Sequence, residues 1–195
     1  MMRMAEVERS TKETVIRLKL NLDGKGTFEG TTGIGFFDHM LDGFARHGFF
    51  DLNLEMHGDL KVDGHHTIED LGIVLGTALK EALGEKAGIK RYGSRILPMD
   101  ETLVLAAVDL CGRPWLSFQA EFSREKVGDM ETEMVKEFFY AMSYACGMNL
   151  HIRVLDGGNC HHMIEAMFKA VAKALDEAVS EEPRITGVLS TKGSL

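Results

Sequence analysis

Gly64-His65-His66-Thr67-Ile68-Glu69 and Cys160-His161-His162-Met163-Ile164-Glu165 decide how this chain is read. Each segment follows a strand pattern and a Gly/Asp turn, and each opens a long helical pattern. Phe36-Phe37 and Phe138-Phe139 open the helices that precede those strands. A set of signals that returns in the same order points to a duplicated unit. Strands and helices are expected in the order ββαβα, twice.

Working outward from the first segment, residues 14–22 alternate, with Ile16, Leu18, Leu20 and Leu22 apolar and Arg17, Lys19 and Asn21 polar. That period of two predicts a half-buried strand. Asp23-Gly24 reads as a hairpin turn. Residues 36–47 place Phe37, Met40, Leu41 and Phe44 on one helical face. A strand over 50–56 and a helix over 66–83 follow, ended by Gly84 and Gly88. In the second copy, strands are expected over 103–110 and 115–122, joined by Gly112-Arg113-Pro114. A helix over 131–146, a strand over 150–155 and a helix over 161–179 complete it. Strands of this alternating kind need one covered face, so helices are expected on one side of each sheet. The fold class is α+β. One domain spans 1–195, built of halves at about 9–90 and 91–185 with a C-terminal tail.

The same two segments carry the chemistry. Residues three and four apart share a helix face. His65 and His66 can therefore each meet Glu69, and His161 and His162 can meet Glu165. Neighbouring histidines point about 100° apart around the axis, so each segment suits two different ions. Nitrogen and oxygen donors without thiolate favour manganese or iron over a structural zinc site. A single His-His pair at a helix start is usually capping or surface chemistry. Two copies with a Glu at the same offset reverse that reading. Asp38-His39 adds a candidate in the first helix, and Glu137 holds the corresponding place in the second half.

The remaining charged residues are less marked. His47 and His57 stand alone and read as structural. His151 lies on a strand, where packing, ligand support and substrate contact all fit. Gly30, Gly33 and Gly35 lack a phosphate-loop pattern and read as a turn. Arg91, Arg95, Arg113, Arg153 and Lys192 lie near turns, where converging cations can hold a phosphate. Ser190-Thr191-Lys192-Gly193 offers hydroxyl, amine and backbone to an anion. Asp100-Glu101 reads as an exposed turn, and Glu13 as part of a charged N-terminal strand.

Composition excludes several classes. With 195 residues, 45% hydrophobic and 27% charged, the chain is an ordinary globular length. A net charge of −8 without a basic tract argues against nucleic acid. Cys111, Cys146 and Cys160 form no CxxC pair, so no disulfide framework is expected. No apolar run approaches a membrane span, and residues 1–14 lack a secretory signal. A cytoplasmic protein is expected.

Taken together, Thr11-Lys12-Glu13-Thr14, Gly33-Ile34-Gly35-Phe36-Phe37-Asp38-His39-Met40-Leu41, His65-His66-Thr67-Ile68-Glu69-Asp70, Leu150-His151-Ile152-Arg153, His161-His162-Met163-Ile164-Glu165-Ala166 and Ser190-Thr191-Lys192-Gly193 closely resemble the imidazoleglycerol-phosphate dehydratase family. The resemblance runs from about residue 9 to 192. It implies removal of water from D-erythro-imidazole glycerol phosphate to give imidazole acetol phosphate, in histidine biosynthesis. It implies two manganese ions per subunit, held by His39, His65, His66, Glu69, His161, His162 and Glu165. A further ligand position, often His in the family, is Glu137 here. Arg91, Arg113, Ser190 or Thr191, and Lys192 would hold the phosphate. Glu13 and Asp100 would act in acid/base chemistry or substrate positioning, beside the carboxylates Glu69 and Glu165. The family's 24-subunit shell, with sites completed by neighbouring chains, is implied as well. Two rivals share the ligand pattern: a dinuclear metal hydrolase and a non-catalytic metal-binding shell.

Overall fold

The computed structural model describes residues 3–195. In chain order the elements are β1 (Met4–Ser10), β2 (Thr14–Asn21), β3 (Phe28–Glu29), α1 (Gly35–Gly48), β4 (Asp51–Gly58), α2 (His65–Leu83), β5 (Tyr92–Met99), β6 (Thr102–Asp109), β7 (Trp115–Gln119), β8 (Lys126–Val127), β9 (Met130–Glu131), α3 (Met134–Cys146), β10 (Asn149–Asp156) and α4 (Cys160–Val179). One sheet has the order β1-β2-β4-β3 and the other β5-β6-β10-β7. Each is mixed: β3 runs parallel to β4 and β7 parallel to β10, while the other pairs are antiparallel. The fold is α+β, with helices on one face of each sheet.

The inner faces follow from the alternation. Ile16, Leu18 and Leu20 of β2 are buried, as are Val104, Ala106 and Val108 of β6. α2 covers β1, β2 and β4, while α4 covers β5, β6 and β10. The helices then pack across the halves, α1 on α4 and α2 on α3. The core is therefore shared. Phe138 of α3 packs edge-on to Phe37 of α1 at 5.2 Å and stacks on Phe168 of α4 at 5.2 Å. On α2, Gly76 lets α3 come close: a Cβ there would lie 2.3 Å from the Met142 carbonyl oxygen. In the glycine-rich turn, Gly30 takes φ +128° with the Leu54 carbonyl 2.1 Å from where a Cβ would sit.

Several expectations are corrected. Asp23-Gly24 does not close a hairpin: β2 pairs with β1 and β4, and the chain after the turn crosses to β3. β6 and β7, joined through Gly112-Arg113-Pro114 as expected, are separated in the sheet by β10. The fully buried Leu150 and Ile152 of β10 need the central position. β7 stops at Gln119 and α3 starts at Met134, later than residue 131. Glu13 lies in the turn between β1 and β2, not in a strand. β1 and β5 are additional edge strands, paired along their length with β2 and β6.

Candidate metal centre

Both HHxxE segments begin helices that follow the central strand of a sheet. Local capping fixes them there. Asn159 Oδ1 accepts from the His161 amide at 2.9 Å, and Asp63 Oδ1 accepts from the His65 amide at 2.9 Å. These bonds satisfy amides that the helix leaves free. The pairs at i and i+4 then meet as the spacing requires. His161 Nε2 lies 3.1 Å from Glu165 Oε2, and His65 Nε2 lies 3.8 Å from Glu69 Oε2.

Packing of α1 on α4 brings in His39, whose Nε2 is 3.6 Å from Glu165 Oε2. His39, His161 and Glu165 offer donor atoms all within 4.8 Å of one another. Two imidazoles and a carboxylate in that spread fit a divalent cation. Asp129 of the β8–β9 turn anchors this helix, accepting from the Gly35 amide at 2.7 Å and the Phe36 amide at 3.1 Å. Asp38 instead holds its own loop, accepting from Thr31, Thr32 and the Thr32 amide.

The two halves are not equal. Glu165 is 13% exposed and Glu69 is 41% exposed. Burial pushes the Glu165 carboxyl up. The Lys169 ammonium, 2.7 Å from Oε1, together with His39 and His161 outweighs this and holds it below the usual carboxylate range. Glu137 follows His39 by the same 98 positions that separate β10 from β4. It nonetheless does not come within 4.8 Å of both His65 and Glu69 among the described residues.

His66 and His162, the second histidine of each pair, meet carboxylates. His66 Nδ1 is 3.0 Å from Asp59, and His162 Nδ1 is 2.9 Å from Glu101. Each bond raises the imidazole above its ordinary pKa. The Glu101 carboxyl is lowered to about 2, first by the Asn159 amide and then by His162. Asp100 Oδ2 lies 3.8 Å from His162 Nε2. The left-handed φ of 51° at Asp100 shapes that turn. Glu13 occupies the matching β1–β2 turn, on the side of His66, whose charged form it favours.

The phosphate candidates gather elsewhere on the chain. Arg91, Arg113, Ser190, Thr191 and Lys192 all line one cleft of about 710 Å³, with Arg184. Arg91 is only partly free. Its Nε and Nη2 donate to Asp109, and its Nη1 donates to the Leu189 carbonyl at 2.7 Å. Arg113 is exposed, and its guanidinium makes no ion pair among the described residues. Ser190 Oγ accepts from the Lys192 amide at 3.2 Å, folding the tail back on itself.

Sequence reasoning missed Asp59 and Lys169, and read Glu101 only as an exposed turn residue. Lys169 had a signal, four positions from Glu165 on one helix face. Asp59 and Glu101 had none, because tertiary folding alone brings them to the histidines. His151 is on the outer face of its sheet, paired with Ala107 and Ser117 and away from the helices.

The model of the imidazoleglycerol-phosphate dehydratase family matches residues 32–175. The chain belongs to that family. Its members are hydro-lyases of histidine biosynthesis. The chain is 65% identical to the imidazoleglycerol-phosphate dehydratase of Lachnoclostridium phytofermentans over the whole of both chains. It is 58% identical to that of Acetivibrio thermocellus over 99% of both. Among solved structures, the Staphylococcus aureus dehydratase superposes with a TM-score of 0.84 at 41% identity, covering 92% of this chain and 99% of that one. The Pyrococcus furiosus enzyme does so at 0.83 and 35%, covering 97% and 100%. No helix among the described residues is long and apolar enough to cross a membrane.

Proposed function

We propose that this chain is a manganese-dependent imidazoleglycerol-phosphate dehydratase, converting D-erythro-imidazole glycerol phosphate to imidazole acetol phosphate. The observation that carries this is the His39–His161–Glu165 cluster at the start of α4, echoed by His65 and Glu69 on α2. Its donors are nitrogen and carboxylate oxygen, which suits Mn2+. His39, His65, His66, Glu69, His161, His162 and Glu165 would hold two ions per chain. Glu137 would join them only if a neighbouring chain completes the site. Bound there, the ions would supply Lewis acidity and a template for the substrate's imidazole and hydroxyl groups.

The chain's own groups do the rest. The carbon that loses its proton has no adjacent carbonyl, so a base must be held close to it. The departing hydroxyl needs an acid. Glu13 and Asp100, in matching turns beside the two histidine helices, are suited to those tasks. Arg113, Ser190, Thr191 and Lys192 would bind the phosphate, with Arg91 giving its remaining N–H groups. A cleft lined by these cations separates this reading from a metal-storage shell, which has no use for one.

Assembly into a closed shell of subunits is part of the proposal. The outer face of the first sheet is charged, with Glu6, Glu8, Arg17, Lys19 and Glu55. The second sheet exposes Ile96, Trp115 and Leu155 instead, an apolar surface suited to another copy. The test is product formation. Purified protein with Mn2+ should convert the substrate, and a chelator should abolish turnover. Full activity in metal-stripped protein would refute the proposal.

A further inference from the structure

The second histidine of each pair shares a feature that the proposed ligand set leaves unexplained. His66 Nδ1 meets Asp59 at 3.0 Å, and His162 Nδ1 meets Glu101 at 2.9 Å. The same ring nitrogen of the equivalent residue is committed to a carboxylate in both halves. Yet the two carboxylates are not equivalents in the duplication. Asp59 comes from the link after β4, and Glu101 from the turn between β5 and β6.

The links explain the difference. Six residues (59–64) separate β4 from His65, but only four (157–160) separate β10 from His161. Those four are Gly157, Gly158, Asn159 and Cys160, with no carboxylate among them. The shorter link carries no acid, and one from another turn reaches the same nitrogen. A contact kept while its supplier changes is a contact the site requires. Glu101 is itself fixed, since its Oε1 accepts from the Asn159 amide at 2.8 Å. Asp59 uses Oδ2 for His66, and its Oδ1 is buried with no hydrogen-bond partner among the described residues. A carboxylate facing one ring nitrogen keeps the proton there and leaves the lone pair on the other.

Resting on the metal reading above, we infer that Asp59 and Glu101 are positioning residues that keep the proton of His66 and His162 on Nδ1. Nε2 is then the atom each histidine presents to a divalent cation. The probe is Mn2+ alone, titrated into the full chain and followed by electron paramagnetic resonance of the free ion. The variants are Asp59→Ala, Asp59→Asn, Glu101→Ala and Glu101→Gln. Each Ala variant should bind Mn2+ about 10- to 100-fold more weakly, with the saturating number of ions unchanged. Asn and Gln keep an acceptor without the charge and should fall between. Long-range proton–nitrogen spectra of metal-free protein should show His66 and His162 protonated on Nδ1, and mixed tautomers in the Ala variants. If an Ala variant fails to fold, its Asn or Gln partner carries both readouts. Unchanged affinity and unchanged tautomers would overturn the inference. A lower saturating number in Glu101→Gln would do so for Glu101, making it a ligand. No Mn2+ binding by the unsubstituted chain would instead refute the metal reading itself.

Discussion

At the level of single residues, the site divides into groups suited to a cation and groups suited to a phosphate. Substitutions should separate them. Arg113→Ala removes from the cleft an exposed guanidinium that has no ion pair among the described residues. Loss of one charge-assisted contact costs roughly 1.5–3 kcal/mol, or about a 10- to 150-fold rise in substrate KM. Metal content should stay unchanged. His162→Ala should lower metal content instead. Steady-state kinetics beside elemental analysis of both variants checks the division, and normal KM in Arg113→Ala would remove that residue from the phosphate site. The HHxxE residues were legible in the sequence because their geometry is local: four positions along a helix bring two side chains together whatever surrounds it. Asp59 and Glu101 were not legible. They lie 7 and 61 positions from the histidines they hold, and no local period links them.

Among elements, the helices do more than cover sheets. α2 and α3 approach closely through Gly76, and α1 is tied to the other half through Asp129. Gly76→Ala would push a methyl group toward the Met142 carbonyl and force the helices apart. Overpacking of this kind costs about 1–3 kcal/mol. Urea unfolding of the metal-free protein should show a lower midpoint with an unchanged slope. An unaltered midpoint would mean the α2–α3 contact yields without strain. The central strands and all four helices could be read from periodicity. The edge strands β1 and β5 could not. β1 alternates apolar residues with charge at low hydrophobicity, and β5 contains Gly93 and Pro98, residues that mark turns. Both are fixed by pairing with a neighbour already in place. The hairpin expected at Asp23-Gly24 failed for the same reason: the turn signal is real, but β4 outcompetes the following segment for the edge of β2.

For the whole molecule, the duplication was legible while the completion of the ligand sets was not. His39 reaches His161 and Glu165 because α1 crosses to α4. His65 and Glu69 find no third donor within 4.8 Å among the described residues. A ligand from a neighbouring subunit would make metal binding and association one linked equilibrium. Stripping Mn2+ should therefore give a smaller, inactive particle, and reloading should restore the large one. Light scattering of both forms decides this. An unchanged particle mass without metal would leave assembly to protein contacts alone. The chemistry itself is tested most directly by titrating Mn2+ into stripped protein while measuring imidazole acetol phosphate. Turnover should rise from nothing and level off at two ions per chain. Product formed without metal, or a plateau at one ion per chain, would contradict a catalytic centre built from both HHxxE helices.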